Sequence, residues 1–227
     1  MPWPALASRW AYGMALISWR YLWQTTPLYR TDSTVGSGCQ PPPVPPEVSS
    51  ADLQLVDDGV GETFHRRFMV RIVDAQMDAR ELMHRVLGDL GGHMPREVVR
   101  ISHRNESGRP LQRNDDFVVD MPGPWNGPVR VVLIDDTRLR LATRQGHLEA
   151  GQIEFHSADE GDQLVFEIEA WARPSNRVVR LLYSRMRLAK EIQLNMWVRF
   201  CKAAVATAGG RMLDGVHIET RREVAGG

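Results

Sequence analysis

The sequence lacks an excess of charge of either sign and has few cysteines. Its formal net charge is zero, with 28 Lys and Arg against 28 Asp and Glu. Nucleic-acid binders usually concentrate a basic excess on one face, so we expect no nucleic-acid partner. The only cysteines are Cys39 and Cys201. Two cysteines in such different settings do not make a disulfide framework or a metal site, which predicts a reducing, cytoplasmic compartment.

Motifs for catalysis and cofactor binding are missing as well. The chain contains no H-E-x-x-H, C-x-x-C pair, G-x-S-x-G or Walker sequence. Its histidines do not show the spacing of metal ligands. We therefore expect no cofactor and no metal. The N-terminus has no basic region followed by a small-residue cleavage site, so a secretory signal is not expected either.

An apolar block opens the chain and a proline-rich segment follows it. Residues 3–24 carry apolar side chains on two faces of a helix, including Trp3, Trp10, Trp19 and Trp23. Such a helix is expected to pack against the main domain. An interfacial membrane anchor is the alternative, because Trp, Tyr and Arg suit the headgroup region. Arg9 inside so short an apolar stretch argues against a full membrane span.

One main domain is predicted after these segments. The predicted division is a helical extension at 1–32, a linker at 33–56 that includes PPPVPP, a main domain at 57–215, and a C-terminal tail at 216–227. In the main domain, alternating apolar residues predict a strand at 65–73, and Asp78 caps a helix at 79–90. Further strands are predicted at 97–104, 115–121, 129–134, 138–144, 148–156 and 164–172.

The last predicted element before the tail is one long helix. It begins after Pro174-Ser175-Asn176 and ends at Gly209-Gly210. Its apolar stripe comprises Val178, Leu182, Met186, Ala189, Ile192, Met196, Phe200 and Ala203, and Leu181, Leu188 and Trp197 broaden it. Short turns between the strands favour antiparallel pairing. The pattern predicts an α+β fold in which a curved antiparallel sheet wraps around the long C-terminal helix and encloses a cavity, with an N-terminal helical extension.

Four segments resemble a bacterial and plant family of unknown function. They are GPWNGPVRVV (123–132), GHLEAGQIEF (146–155), LVFEIEAWARP (164–174) and YSRMRLAKEIQLNMW (183–197). The family's hallmark is a Gly-His-x-Glu-x-Gly-x-x-x-Phe strand, which His147, Glu149, Gly151 and Phe155 match. A following strand ends in Ala-Arg-Pro, as residues 172–174 do. The resemblance covers about residues 60–210 and implies a helix-grip fold, START-like or Bet v 1-like (SRPBCC), without implying an activity.

His147 and Glu149 are the candidates for catalysis. At two positions apart on a strand they are expected to share one face, with Glu154 on the other. A His–carboxylate pair can orient a general base or bind a polar ligand head. No nucleophile or metal ligand accompanies the pair, so the favoured interpretation is a hydrogen-bonded pair that fixes the turn beside Gly146.

The strand at 164–172 is expected to supply a cavity floor. Phe166, Ile168, Ala170 and Ala172 share the face turned toward the long helix, and the alanines either leave space or let the helix pack closely. Arg173, on the other face, suits an anionic ligand head at the cavity mouth, although an ion pair with Glu169 is expected. The residues expected to contact a ligand are Trp125, His147, Phe166, Ile168, Ala170, Arg173, Met186 and Met196.

We expect a protein that binds a small apolar or amphipathic molecule between the sheet and the C-terminal helix. Two alternatives remain open. One is an enzyme of the cyclase or hydrolase kind that uses His147 as its acid–base. The other is an interaction protein that docks on a membrane or a partner through the Trp-rich N-terminal helix. The expected location is cytoplasmic, with peripheral membrane contact under the last alternative. The sequence does not specify the oligomeric state.

Overall fold

The structure is a computed structural model that describes residues 27–94, 100–103, 109–120, 126–177, 179 and 187–223. Within these ranges the strands are β1 Leu28–Val35, β2 Thr63–Val73, β3 Arg100–His103, β4 Asp116–Asp120, β5 Asn126–Ile134, β6 Arg138–Thr143, β7 Glu149–Glu160, β8 Gln163–Pro174, β9 Arg211–Met212 and β10 Val216–Glu223. The α-helices are α1 Ala79–Gly88, α2 Leu90–His93 and α3 Arg187–Ala208, and a 3-10 turn spans Val56–Asp58.

The strands form one open, curved sheet in the order β1-β10-β2-β8-β7-β6-β5-β4-β3, with β9 paired to β2 beside this path. Neighbours pair antiparallel throughout, except that β1 runs parallel to β10 at one edge. The predicted α+β fold, a curved antiparallel sheet with a long C-terminal helix, is confirmed. The predicted N-terminal helix at 3–24 lies outside the described residues.

Strands β1 and β10 occupy residues that the sequence analysis assigned to the extension, the linker and the tail. In β1 only Leu28, Ser33 and Val35 are partly buried and the other five residues are exposed. Such a strand has almost no period-two apolar signal, which explains why it was missed. β10 does alternate, since Val216 and Ile218 are buried. Its pairing with β2 makes the supposed tail an inner strand of the sheet.

The main core lies between α3 and the face of the sheet that α3 covers, which we call the concave face. The sheet contributes large apolar side chains from its central strands, namely Phe68, Val70, Ile72, Phe155, Phe166 and Ile168. The helix contributes Trp197, Phe200, Cys201, Ala204 and Ala208, all buried. Trp197 and Phe200 of the predicted stripe are buried, whereas Met196 and Ala203 of that stripe are only partly buried. Several faces of this helix carry apolar residues, so periodicity alone does not determine which face meets the sheet.

Local signals at the ends of the elements were predicted well. Asp78 accepts a hydrogen bond from the Glu81 amide at 2.8 Å and begins α1. Asn176 accepts one from the Val179 amide at 2.9 Å, at the predicted start of the long helix. Gly209, with φ of 69°, follows the last residue of α3. The turn between β7 and β8 is shorter than predicted, because both strands continue to a two-residue turn at 161–162.

Residues 39–54, which we call the strap, lie across the opposite, convex face of the sheet. Arg140 Nη1 and Gln152 Nε2 each donate to the carbonyl oxygen of Pro42 at 3.1 Å. Arg130 Nη1 donates to the carbonyl of Ser49 at 2.8 Å. A proline-rich chain leaves its own carbonyls unbonded, so it can accept from the arginines of the sheet. The part of the predicted linker that forms the strap is therefore bonded to the sheet.

Candidate functional site

The register of β2, β8 and β7 divides the concave face into two zones. In one row Phe68, Ile168 and Phe155 lie side by side, and all three are at most 1% exposed. The next two rows along the strands carry smaller apolar side chains on β7 and β8. We call these four residues the alanine patch: Gly151, Ile153, Ala170 and Ala172. Ile153, Ala170 and Ala172 are only partly buried, so on β7 and β8 the filled core ends where the patch begins.

The filled zone is an aromatic cluster beneath the C-terminal half of α3. The Phe200 ring stacks on Phe166 with centroids 5.8 Å apart and contacts Phe155 at 5.1 Å. Trp197 meets Phe155 edge-on at 5.8 Å. Phe166 and Ile168, expected to line a cavity, are both fully buried in this core. Their part in the fold is packing, which leaves Ala170 as the predicted cavity residue of β8 that remains accessible.

The N-terminal half of α3 runs in the direction of the alanine patch. The C-terminal end of the helix is fixed beyond β2, where the Gln76 amide donates to the Ala208 carbonyl at 2.9 Å. Trp197 lies on the last filled row, and ten further helical residues lead back from it to Arg187. At 1.5 Å per residue this is roughly 15 Å of helix, enough to cross both rows of the patch. Met196 packs against the edge of the core while remaining partly exposed.

Basic residues border the patch on the neighbouring strands. Arg66 pairs in register with Ala170, and its guanidinium lies over the Phe64 ring at 5.5 Å from the centroid. On β10, Thr220 and Arg222 pair with Arg66 and Phe64. One end of the concave face thus combines an apolar floor with a polar and cationic border, an arrangement suited to an amphipathic molecule.

His147 lies in the turn that leads into β7, not on the strand itself. Its amide donates to the Arg144 carbonyl at 3.0 Å, and Gly146 in this turn has a φ of 94°. Because β7 begins at Glu149, the two candidate catalytic residues do not share a strand face as predicted. Instead, His147 Nδ1 accepts a hydrogen bond from the Glu149 amide at 2.9 Å. Burial lowers the pKa of His147, which favours the neutral ring that can accept this bond.

Residues outside the shared sequence motif hold its backbone in place between β6 and β7. The Gln54 side-chain amide donates to the carbonyls of His147 at 3.0 Å and of Glu149 at 2.9 Å. The Gly151 amide donates to Thr143 Oγ1 at 2.9 Å. A Cβ atom on Gly151 would lie 1.9 Å from the Trp171 carbonyl oxygen, so only glycine fits there. The Gly-His-x-Glu-x-Gly motif therefore shapes the β6–β7 connection and the approach of β7 to β8.

Arg173 lies on the convex face, away from Phe166 and Ile168. Its Nε donates to Thr63 Oγ1 at 2.6 Å. The predicted ion pair with Glu169 is wrong, because Glu169 is bonded to His65 Nε2 at 3.1 Å. The side chain of Arg173 thus lies across the sheet from the alanine patch. The two other predicted contacts, Trp125 and Met186, lie outside the described residues, and so does Leu182.

The convex face carries a polar network that the sequence analysis missed. The His65 ring stacks on Trp171 with centroids 5.0 Å apart, and Arg140 pairs with Glu154 at 3.0 Å. Burial raises the pKa of Glu154. Burial acts to raise the pKa of Glu169, but the hydrogen bond from His65 and the nearby basic side chains of His65, Arg67 and His156 together lower that pKa. The sequence signal for this network was the alternation of charged residues on β2 and β8. That alternation indicates side-chain pairs only when the register between the two strands is known.

A groove of about 270 Å³ lies on the convex face at the β1 edge. Tyr29 and His217 form one side, with their rings stacked at 4.9 Å, and Arg67, Met69 and Glu219 line the rest. The groove was not predicted from the sequence, because part of its lining comes from β1 and β10, which were not predicted as strands.

Two further observations concern metals and membranes. Among the residues that the structure describes, His, Cys, Asp and Glu side chains do not gather in a group of three or more that could hold a metal ion. In the same residues, every helix is too short or too polar to cross a membrane.

Taken together, the curved sheet and the C-terminal helix define a helix-grip protein with a partly open concave face. The chain belongs to the family described as "Domain of unknown function (DUF1990)", whose model matches residues 62–203. The recognition made from the sequence motif is thereby confirmed. A search of the curated proteins gives no match.

Solved structures show a distant likeness of fold. The di-domain ARO/CYC StfQ from the steffimycin biosynthetic pathway is 12% identical with a TM-score of 0.48, over 67% of this chain and 52% of that one, so the chain spans about half its length. A START superfamily protein from Mycobacterium smegmatis is 14% identical with a TM-score of 0.43, over 62% and 97%. Norcoclaurine synthase from Thalictrum flavum, in complex with dopamine and hydroxybenzaldehyde, is 13% identical with a TM-score of 0.43, over 66% and 90%. Likenesses this distant carry no information on ligand or reaction.

Proposed function

We propose that this protein binds a small apolar or amphipathic molecule over the alanine patch, between the sheet and α3. The observation that carries the proposal is the abrupt change along β8 and β7. Ile168 and Phe155 are at most 1% exposed, whereas Ala170 and Ile153 in the next row are partly exposed. A molecule that fills this space removes apolar surface from water, which contributes about 0.8 kcal/mol per buried methylene.

Close packing of the helix is the competing explanation for the small residues. A helix seated directly on alanines would bury them, because interiors are packed to crystal-like density. Ala204 and Ala208, which do pack in the core, are 0% exposed. Ala170 and Ala172 on the patch are instead partly exposed. Their exposure favours open space over close packing.

The border of the patch favours an amphipathic ligand over a pure hydrocarbon. Arg66 and Arg222 lie in the two patch rows, on β2 and β10. Guanidinium groups bind carboxylate or phosphate oxygens through paired hydrogen bonds. An anionic or strongly polar head at this border, with the apolar body on the patch, would use both features.

We assign no reaction to His147. Its Nδ1 already accepts from the Glu149 amide, and burial disfavours its charged form. The alternative of membrane or partner docking depends on residues 3–24, which lie outside the described chain. It stays a hypothesis.

Native mass spectrometry of protein purified from its own host tests for a co-purified small molecule.

Variants then locate the binding site. Ala170→Leu should fill the patch and weaken binding of the compact hydrocarbon indane, used as a probe, by about 5- to 150-fold, because overpacking costs about 1–3 kcal/mol. Ala158→Leu is the matched control, since Ala158 lies on the convex face of β7. Equal binding by folded Ala170→Leu and by the parent would refute the proposal.

A further inference from the structure

The indole N–H of Trp197 is a buried hydrogen-bond donor that has no acceptor among the described residues. Trp197 is 7% exposed, and its Nε1 atom has no hydrogen-bond partner among the residues that the structure describes. A buried donor left unpaired destabilises the fold, so native proteins rarely keep one unless a ligand or an ordered water supplies the acceptor. A ligand or an ordered water is therefore the expected acceptor for Trp197 Nε1.

Trp197 stands at the boundary between the filled core and the alanine patch. Its ring meets the edge of Phe155, which belongs to the last filled row. The next residue of β7 on the same face is Ile153, the first residue of the patch. Among the described side chains of α3, Trp197 is thus the aromatic one that lies in the row next to the patch.

Other unpaired buried atoms lie elsewhere. His65 Nδ1 and Gln152 Oε1 are on the convex face, near the strap. Ser157 Oγ is on the concave face but pairs in register with Phe166, on the far side of the Phe155 row from the patch. Of these residues, Trp197 is the one whose ring contacts the row next to the patch, through Phe155.

We propose that the bound molecule supplies the acceptor for Trp197 Nε1. This inference rests on the proposed function and narrows the ligand class. The ligand has a compact apolar body that covers the alanine patch and carries a carbonyl, carboxylate or other oxygen acceptor at its inner end. A molecule with the same body and no acceptor leaves the indole N–H unpaired and binds less well than its burial predicts.

Two neutral probes of matched shape test this assignment. Indane has no acceptor, and 1-indanone differs from it by one carbonyl group. The dissociation constants of both are measured by NMR titration for the parent and for Trp197→Phe, which keeps an aromatic ring and removes the N–H. Size changes affect both probes alike, so the informative quantity is the ratio of the two constants.

The ratio of the indane constant to the 1-indanone constant should fall about 2- to 12-fold in Trp197→Phe, the range expected for one neutral hydrogen bond. Trp171→Phe, on the convex face, is the matched control and should leave the ratio unchanged. In ¹⁵N-labelled parent protein, 1-indanone should move the indole N–H proton signal that Trp197→Phe removes further downfield than indane does, because an accepted hydrogen bond deshields the proton.

The outcomes separate the two proposals. If both probes bind and the ratio is the same in parent and Trp197→Phe, the Trp197 assignment is overturned while the binding function stands. If Ala170→Leu abolishes binding of both probes and Trp197→Phe changes the ratio, both proposals are supported. If neither probe binds the parent, both are overturned together.

Discussion

His147 offers the sharpest test of whether the family motif is a site or a support. Replacing it by alanine removes the acceptor for the Glu149 amide, a bond of 2.9 Å at the first residue of β7. A partly buried backbone donor left without a partner costs about 1–3 kcal/mol. Urea unfolding of His147→Ala at pH 8 should therefore show a free energy of unfolding lower by about that amount.

The His147→Asn variant separates the effect of the hydrogen bond on stability from the effect of protonating the imidazole ring. The asparagine side-chain oxygen can take the place of Nδ1 as acceptor, so its stability at pH 8 should lie within about 0.5 kcal/mol of the parent. Asparagine does not titrate. The comparison of parent and His147→Asn therefore isolates the protonation of the imidazole.

The pH dependence has a definite direction. Burial lowers the pKa of His147 in the folded chain below the ordinary value of 6.5. Just below pH 6.5 the unfolded chain binds more protons than the folded one, so the free energy of unfolding falls as pH decreases. The stabilisation is complete above pH 6.5 and is lost on the way down to the folded pKa. Between pH 8 and pH 5.5, the parent should lose stability relative to both variants.

A catalytic or ligand-binding His147 would behave differently. In that case His147→Ala would unfold at the same urea concentration as the parent while binding of a co-purified ligand disappears. That combination would refute the support role and return His147 to the candidate site. An unchanged difference between parent and His147→Asn across the pH range would refute the lowered pKa.

Two further predictions concern close packing and burial. Gly151→Ala should lower the free energy of unfolding by at least about 2 kcal/mol, because its Cβ would lie 1.9 Å from a carbonyl oxygen. Gly88→Ala, where a Cβ meets nothing within 4 Å, should leave it unchanged or raise it in the same urea assay. Burial raises the pKa of both Cys39 and Cys201, so neither thiol should react with a disulfide reagent in the folded protein. Removing the acceptor of the Cys39 amide by Glu223→Ala should speed labelling of Cys39 about tenfold and leave Cys201 protected, as mass spectrometry of the labelled peptides can check.

The fold was predictable because its central strands alternate cleanly and its turns are short. β2 buries Phe68, Val70 and Ile72 on the face that its period-two pattern predicts, β8 buries Phe166 and Ile168 on its predicted face, and Asp78 and Asn176 begin helices where capping residues are expected. These signals are local. Each depends on residues within a few positions of one another, and tertiary contacts leave it unchanged.

The missed features all depend on contacts between distant parts of the chain. The strap is held by carbonyl groups of prolines, which carry no sequence signal for the arginine and glutamine that bind them about a hundred positions away. β1 is mostly exposed and becomes a strand only because β10 offers it a partner. Likewise, both Met196 and Trp197 were predicted on the apolar stripe, and contact with the Phe155 ring of the sheet accompanies the deeper burial of Trp197.

The family motif and the proposed binding site are connected through one strand pair. Gly151 pairs with Ala172 and Ile153 pairs with Ala170, so the register of β7 on β8 places all four residues of the alanine patch. That register depends on the close approach that Gly151 permits and on the turn that His147 closes. A motif without a catalytic role can therefore still be required for function, because a slip of one residue would turn every patch side chain to the convex face. Variants of the motif should lose ligand binding only in proportion to their loss of folded protein, whereas variants of the patch should lose binding while they remain folded.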